Sequence, residues 1–168
     1  YFFQDKGSDP AAYVPLPFKP ETHEADSRPD VVAQWIQTVN QSSDAAFRAS
    51  VGGYIDFGKF LQHIAVETFV TETDGFVGDY GVNNFYMYRP VSQNQFTLIG
   101  WDKSEAFKGG TTRSIWQNIR NTPTERQNRL VARTLAYRDM YDYFLDMLLE
   151  CARLASELTE GDSRGWLE

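Results

Sequence analysis

Three polar side chains at the ends of one aromatic-rich run are the residues of this chain best suited to chemistry: Asp74, Asn84 and Asp102. The run between the last two, NFYMYRPVSQNQFTLIGW, reads as strand NFYMYR, turn PVSQNQ and return strand FTLIGW. A two-stranded hairpin brings the chain back to where it started, so Asn84 and Asp102 should lie close together. Asp74 is tethered to the same end by the short polar segment DGFVGDYGVNN. Two carboxylates and a carboxamide at one mouth form a hard-oxygen set of the kind magnesium prefers, since that ion takes one or two carboxylates plus substrate phosphates. Taken alone, however, the pattern reads first as turn chemistry, because Asp, Asn and Gly are ordinary turn residues.

The elements that must position these groups are mostly helical. Val31, Val32, Trp35, Ile36 and Val39 recur at helical spacing behind Asp30, which is expected to cap the helix. A short helix follows Ser43 and stops at Gly52-Gly53. Another spans about Ile55 to Val70, with Asp74 at its end and with Ile55, Phe60, His63, Ile64, Glu67 and Thr68 near one another on its surface. After the hairpin, Thr122-Pro123-Thr124-Glu125 has the form of a capping box with Pro at the first helical position. Leu130, Val131, Thr134 and Leu135 give that helix an apolar face. A longer helix follows with Tyr141, Phe144, Leu145, Leu148, Leu149 and Leu154, ended by Gly161. The expected fold class is mainly α with a small β-hairpin, an α+β arrangement. Residues 1-29 form a proline-rich extended strap whose Tyr13 and Phe18 lie on the domain. Residues 30-160 form the helical body with the hairpin at about 84-101, and 161-168 are a tail. A further strand is expected near Tyr1-Gln4.

Bulk properties narrow the function. The chain has 168 residues, the size of one domain or part of one. A hydrophobic fraction of 42%, including 15% aromatics, suffices for a packed core. A net charge of −7 argues against nucleic acid as a partner, because backbone phosphates need a cationic face. It argues equally against docking on an anionic membrane. No apolar run is long enough for a membrane span. No signal peptide opens the chain, but the N-terminus resembles a strand in progress, so the chain is expected to be a piece of a longer protein. The compartment is therefore open: extracytoplasmic, or a spore or cell surface, if the full-length protein carries a signal peptide. One cysteine, Cys151, excludes an internal disulfide and reads as a buried structural thiol. His23 and His63 have no partner at metal-ligand spacing and read as structural.

Other polar residues carry two readings each. Glu67 lies about two turns before Asp74 and would face the site or, more simply, be a surface carboxylate. Lys103 and Lys108 would touch phosphate or be solvent-exposed lysines beside a Gly-Gly loop. Trp101 would stack on a nucleotide base or close the hairpin as a core tryptophan. Arg133, Arg138 and Arg153 are expected to bind helix ends or solvent.

The run LQHIAVETFVTETDGFVGDYGVNNFYMYRPVSQNQFTLIGWDKSEAF resembles the core of the CotH kinase family. That family has a helix ending in Asp-Gly, an Asn-aromatic-x-x-Tyr-Arg strand, a turn, and a second strand running into Trp-Asp. PLPFKPETHE is similar to its proline-rich stretch, and Gln127 to Leu149 match its C-terminal helices by pattern, so the likeness covers about Tyr13 to Leu158. It implies the C-terminal lobe of an atypical protein-kinase-like fold, with ATP and Mg²⁺ as cofactors and phosphate transfer to Ser or Thr of a protein. By that resemblance Asp74 is the catalytic aspartate, Asn84 the metal-binding asparagine and Asp102 the metal-binding aspartate, as in the general logic of protein kinases.

The chain departs from the family pattern in three places. The Asp74–Asn84 segment is longer, which leaves Asp79 or Asn83 as an alternative to Asn84. Ser104 stands where many members carry a second acid after Trp-Asp. No Gly-rich phosphate loop or strand-borne lysine lies upstream, so the N-terminal lobe is expected to be a separate part and the fragment alone inactive. Two other functions stay open. One is a catalytically inactive binding or structural module of a coat or surface. The other is a metal-dependent hydrolase in which the same carboxylates activate water.

Overall fold

The computed structural model describes residues 1–90, 92–108, 110–120 and 123–161, and of these it leaves the side chains of 124 and 158–161 aside. Its architecture is mainly α with one small antiparallel hairpin. The α-helices are α1 (Pro29–Gln41), α2 (Asp44–Gly52), α3 (Phe57–Phe69), α4 (Arg129–Thr134) and α5 (Arg138–Gly161). The strands β1 (Phe85–Tyr88) and β2 (Thr97–Gly100) pair Phe85 with Gly100 and Tyr88 with Thr97. Among the described residues no helix is long and apolar enough to cross a membrane.

Local signals account for most boundaries. Ser43 accepts from the Ala46 N–H, and Asp56 from the Lys59 N–H, so each helix starts where a side chain satisfies an otherwise orphaned donor. The first helix begins differently from expectation. Pro29 occupies its first position behind Arg28 (φ 48°), while Asp30 sits inside the first turn and receives the Arg28 guanidinium at 2.8 and 3.0 Å. Its negative charge suits the positive end of the helix dipole there. The start signal at 122–125 is also displaced. Thr122 lies outside the described residues, Thr124–Arg126 form one 3-10 turn, and α4 begins later. Its cap is the buried Asn128, whose Oδ1 accepts from Leu130 and Val131 while its Nδ2 donates to the Phe76 carbonyl at 3.1 Å.

The core is strongly aromatic. Phe3, Tyr13, Trp35, Phe47, Phe76 and Phe144 are fully buried. Phe76 makes ring contacts with Phe3, Phe60, His63 and Phe85, joining the N-terminal segment, α3 and β1. No strand forms at residues 1–4. Instead the Tyr1 carbonyl accepts from the Val82 N–H and the Phe2 carbonyl from the Arg129 N–H. In the proline-rich segment, Pro10–Ala12 form a 3-10 turn and residues 13–17 a further turn, with Tyr13 buried.

On α5 the apolar stripe is narrower than its sequence suggested. Met140, Phe144 and Leu148 are buried, whereas Leu149 and Leu154 are exposed. Cys151 is half-exposed rather than buried, and its thiol is pushed up by partial burial and by the neighbouring Glu150. Arg133 reaches the end of α1, donating to the Val39 and Ser42 carbonyls. Arg138 and Arg153 pair with acids on their own helix.

Candidate active site

The site forms where α3, the loop after it and the two ends of the hairpin meet. Helix α3 stops at Phe69, five residues before Asp74, so Asp74 belongs to a loop rather than to the helix end. Thr71 reverses the chain at φ 50°, a costly conformation for a β-branched residue. The loop then folds on itself: Asp79 N–H donates to the Thr73 carbonyl at 2.8 Å, and Asn83 N–H to the Gly75 carbonyl at 3.2 Å. Three glycines there leave no free room for a Cβ, and on Gly78 one would meet the Gly75 N and the Thr73 carbonyl oxygen at 2.7 Å. A Cβ on Gly75 would meet the Glu67 carboxylate and Glu72 Cγ at 2.7 Å. One on Gly81, at φ 103°, would meet the Tyr1 carbonyl oxygen at 2.3 Å.

The Asp74 carboxylate receives two amides. Asn83 Nδ2 donates to Oδ1 at 2.8 Å and Asn84 Nδ2 to Oδ2 at 2.9 Å. The longer loop therefore brings both asparagines to the same acid. Glu72, itself buried, fixes Asp74 from behind by accepting its backbone N–H at 2.9 Å. Across the hairpin, Trp101 N–H donates to the Asn84 carbonyl at 2.9 Å, which extends the pairing one step beyond β1 and β2. Asp102 follows directly, exposed, and accepts a long bond from the Ser104 N–H at 3.4 Å. Asn84 and Asp102 both lie in the left-handed region, at φ 50° and 38°. Asn and Asp are the side chains that enter this region most readily, because they can hydrogen-bond locally.

The remaining candidates divide. Asp79 takes other partners. It is gripped by Arg113 through two bonds of 2.7 and 3.1 Å and by Asn118 at 2.7 Å, and the guanidinium holds its carboxyl below the usual range. Glu67 is not a surface carboxylate: it is 2% exposed. Its Oε1 takes the Lys103 ammonium at 2.6 Å and lies 3.2 Å from His63 Nε2, while Oε2 accepts the Val77 N–H at 3.2 Å. Burial alone would raise the Glu67 carboxyl, but His63 and Lys103 together outweigh it and hold the group low. Lys103 is half-buried and also donates to the Asn84 carbonyl at 3.1 Å, whereas Lys108 stays outside, paired with Glu105. Trp101 is no core residue. It is 57% exposed, with its ring 5.2 Å from that of Tyr86 on the outer side of the hairpin.

The sequence reading passed over Glu72, Arg113 and the partnership of His63 with Glu67. The last had a signal, an i,i+4 spacing on one helix face. The other two depend on how an irregular loop folds and left none.

Among the described residues no three His, Cys, Asp or Glu side chains gather as metal ligands. The oxygens at the hairpin mouth are nevertheless of the hard kind that magnesium takes. Asp102 offers an exposed carboxylate, and Asn84, with its Nδ2 turned to Asp74, keeps its amide oxygen as an acceptor. Magnesium needs few protein oxygens when phosphates complete its shell.

No curated protein matches the chain. The family model described as CotH kinase protein matches residues 3–158, nearly the whole of it. The fold, the Asp-Gly loop and the hairpin that ends in Trp-Asp thus sit within a known kinase-like family, and this chain belongs to the CotH kinase protein family.

Proposed function

We propose that this chain is the C-terminal lobe of a protein Ser/Thr kinase that transfers phosphate from ATP with Mg²⁺, completed by an N-terminal lobe of the same protein. The observation that carries the reading is the contact of Asp74 with Asn84, on a residue whose carbonyl is paired with the residue before Asp102. Asp74 is placed to orient an acceptor hydroxyl and take its proton, and the Asn84 and Asn83 amides keep its carboxylate aimed. Asn84 and Asp102 would hold the cation through their side-chain oxygens. Bound magnesium would neutralise charge on the transferring phosphate, the main contribution in this class of reaction. The exposed Trp101, with the half-buried Tyr86 beside it, offers an aromatic face on which a purine can stack.

The test is phosphate transfer by the full-length protein to a protein acceptor. Asp74→Asn and Asp102→Ala are expected to abolish it without unfolding the protein; wild-type transfer by both variants would refute the assignment.

One observation favours a second reading, an inactive binding or structural module. Position 104 is an exposed serine, so a hydroxyl stands two residues after Asp102 where a second acid would offer the cation another carboxylate. The same protein would then show no thermal shift with ATP and Mg²⁺. Phosphate release from ATP without any acceptor would point instead to a hydrolase using the same carboxylates.

A further inference from the structure

We infer that Lys103 and Glu67 are positioning residues: a part-buried ionic strut that holds Asn84 and Asp102 at the cation site. This inference rests on the kinase reading of that site. Lys103 follows Asp102 directly, yet its side chain turns inward. Its Cε passes 3.1 Å from where a Cβ of Gly100 would stand, so the absence of a side chain at Gly100 leaves the path open. The ammonium then bonds the Glu67 carboxylate at 2.6 Å and the Asn84 carbonyl at 3.1 Å. Three separate segments meet at this one nitrogen: helix α3, the residue that opens β1 and the loop that leaves β2.

Two further facts give the strut its purpose. Asn84 and Asp102 both hold positive φ, a region Asn and Asp enter more readily than other side chains and that a fixed neighbour can select. Lys103 bonds the carbonyl of the first and is the chain neighbour of the second. Glu67 in turn is anchored at its other oxygen by the Val77 N–H and flanked by His63, so the strut ends on a fixed point. An ammonium has three protons to donate, and two are committed here, which sets Lys103 apart from a mobile lysine reserved for phosphate. Partners that orient metal-holding groups in this way typically govern metal affinity by tenfold or more.

The experiment is Mn²⁺ binding to the full-length protein, followed by electron paramagnetic resonance and paired with thermal melting. Lys103→Met strands a buried carboxylate and is expected to lower both stability and Mn²⁺ affinity. Glu67→Gln/Lys103→Met removes both charges. It is expected to regain the melting temperature while Mn²⁺ affinity stays about tenfold or more below wild type. Lys103→Arg, which keeps the charge, is expected to retain affinity within about threefold, less than the roughly tenfold loss expected when an orienting partner is removed. Wild-type affinity in the double variant, or a double variant that cannot fold, would make the pair merely structural and overturn the inference. A wild-type protein that binds no Mn²⁺ would overturn the kinase reading and this inference together.

Discussion

The Asp74 carboxylate accepts one amide on each oxygen, from Asn83 at 2.8 Å and from Asn84 at 2.9 Å. The two asparagines are not equivalent. Asn84 opens β1 at positive φ and shares its carbonyl with Trp101 and Lys103, while Asn83 is exposed. Asn84→Ala is therefore expected to lower phosphate transfer by about 10²-fold or more, the scale of losing one fixed electrostatic contact in an active site. Asn83→Ala is expected to stay within about tenfold of wild type, below that scale. Steady-state transfer by the full-length protein, with melting temperatures as a control, separates the two.

Gly75 follows the aspartate and is closed in by two buried glutamates. A methyl group there would stand 2.7 Å from the Glu67 carboxylate, which Lys103, His63 and the Val77 N–H all hold in place. Gly75→Ala is expected to destabilise the protein by about 1–3 kcal/mol, the usual cost of overpacking. Denaturant unfolding measures it; an unchanged midpoint would mean that Glu67 moves aside freely.

Glu67 should also leave a signature in the pH dependence of stability. Its folded-state carboxyl is held below the ordinary 4.5. A depressed carboxyl contributes stability that is present above the unfolded value and is lost as pH falls through the folded one. Wild type is therefore expected to lose stability below about pH 4.5 more steeply than Glu67→Gln. Parallel curves for the two proteins would show that the ion pair contributes nothing.

Phe76 and Leu149 test the packing. Phe76 is fully buried at the centre of the aromatic cluster, and its truncation to Ala is expected to cost about 3–5 kcal/mol. Leu149 is 69% exposed, and Leu149→Ala is expected to change stability by no more than about 0.5 kcal/mol. Calorimetric melting of both variants distinguishes a core that ends at Leu148 from one that wraps α5.

Periodicity made the helices and the hairpin legible, because Trp35, Ile36 and Val39, or Phe85 and Met87, repeat with the period of the element that buries them. Caps followed the same logic at Ser43 and failed at Asp30, where Pro29 took the first position behind a left-handed Arg28. The site was only half readable. Hairpin closure brings the backbones of Asn84 and Trp101 together, since returning strands must meet. The fate of Asp79, bound to Arg113, and the burial of Glu67 against Lys103 depend on contacts 34 and 36 residues apart in the chain. Irregular loops settle such contacts by satisfying buried polar groups one at a time, a process with no period to read.

The central claim is that Asp102 and Asn84 hold a shared cation beside Asp74. Anomalous scattering from a crystal of the full-length protein with Mn²⁺ and a non-hydrolysable ATP analogue tests it most directly. The predicted result is a manganese peak within coordination distance, about 2.1 Å, of an Asp102 carboxylate oxygen and the Asn84 amide oxygen. A well-bound nucleotide whose metal lies away from both residues would contradict it.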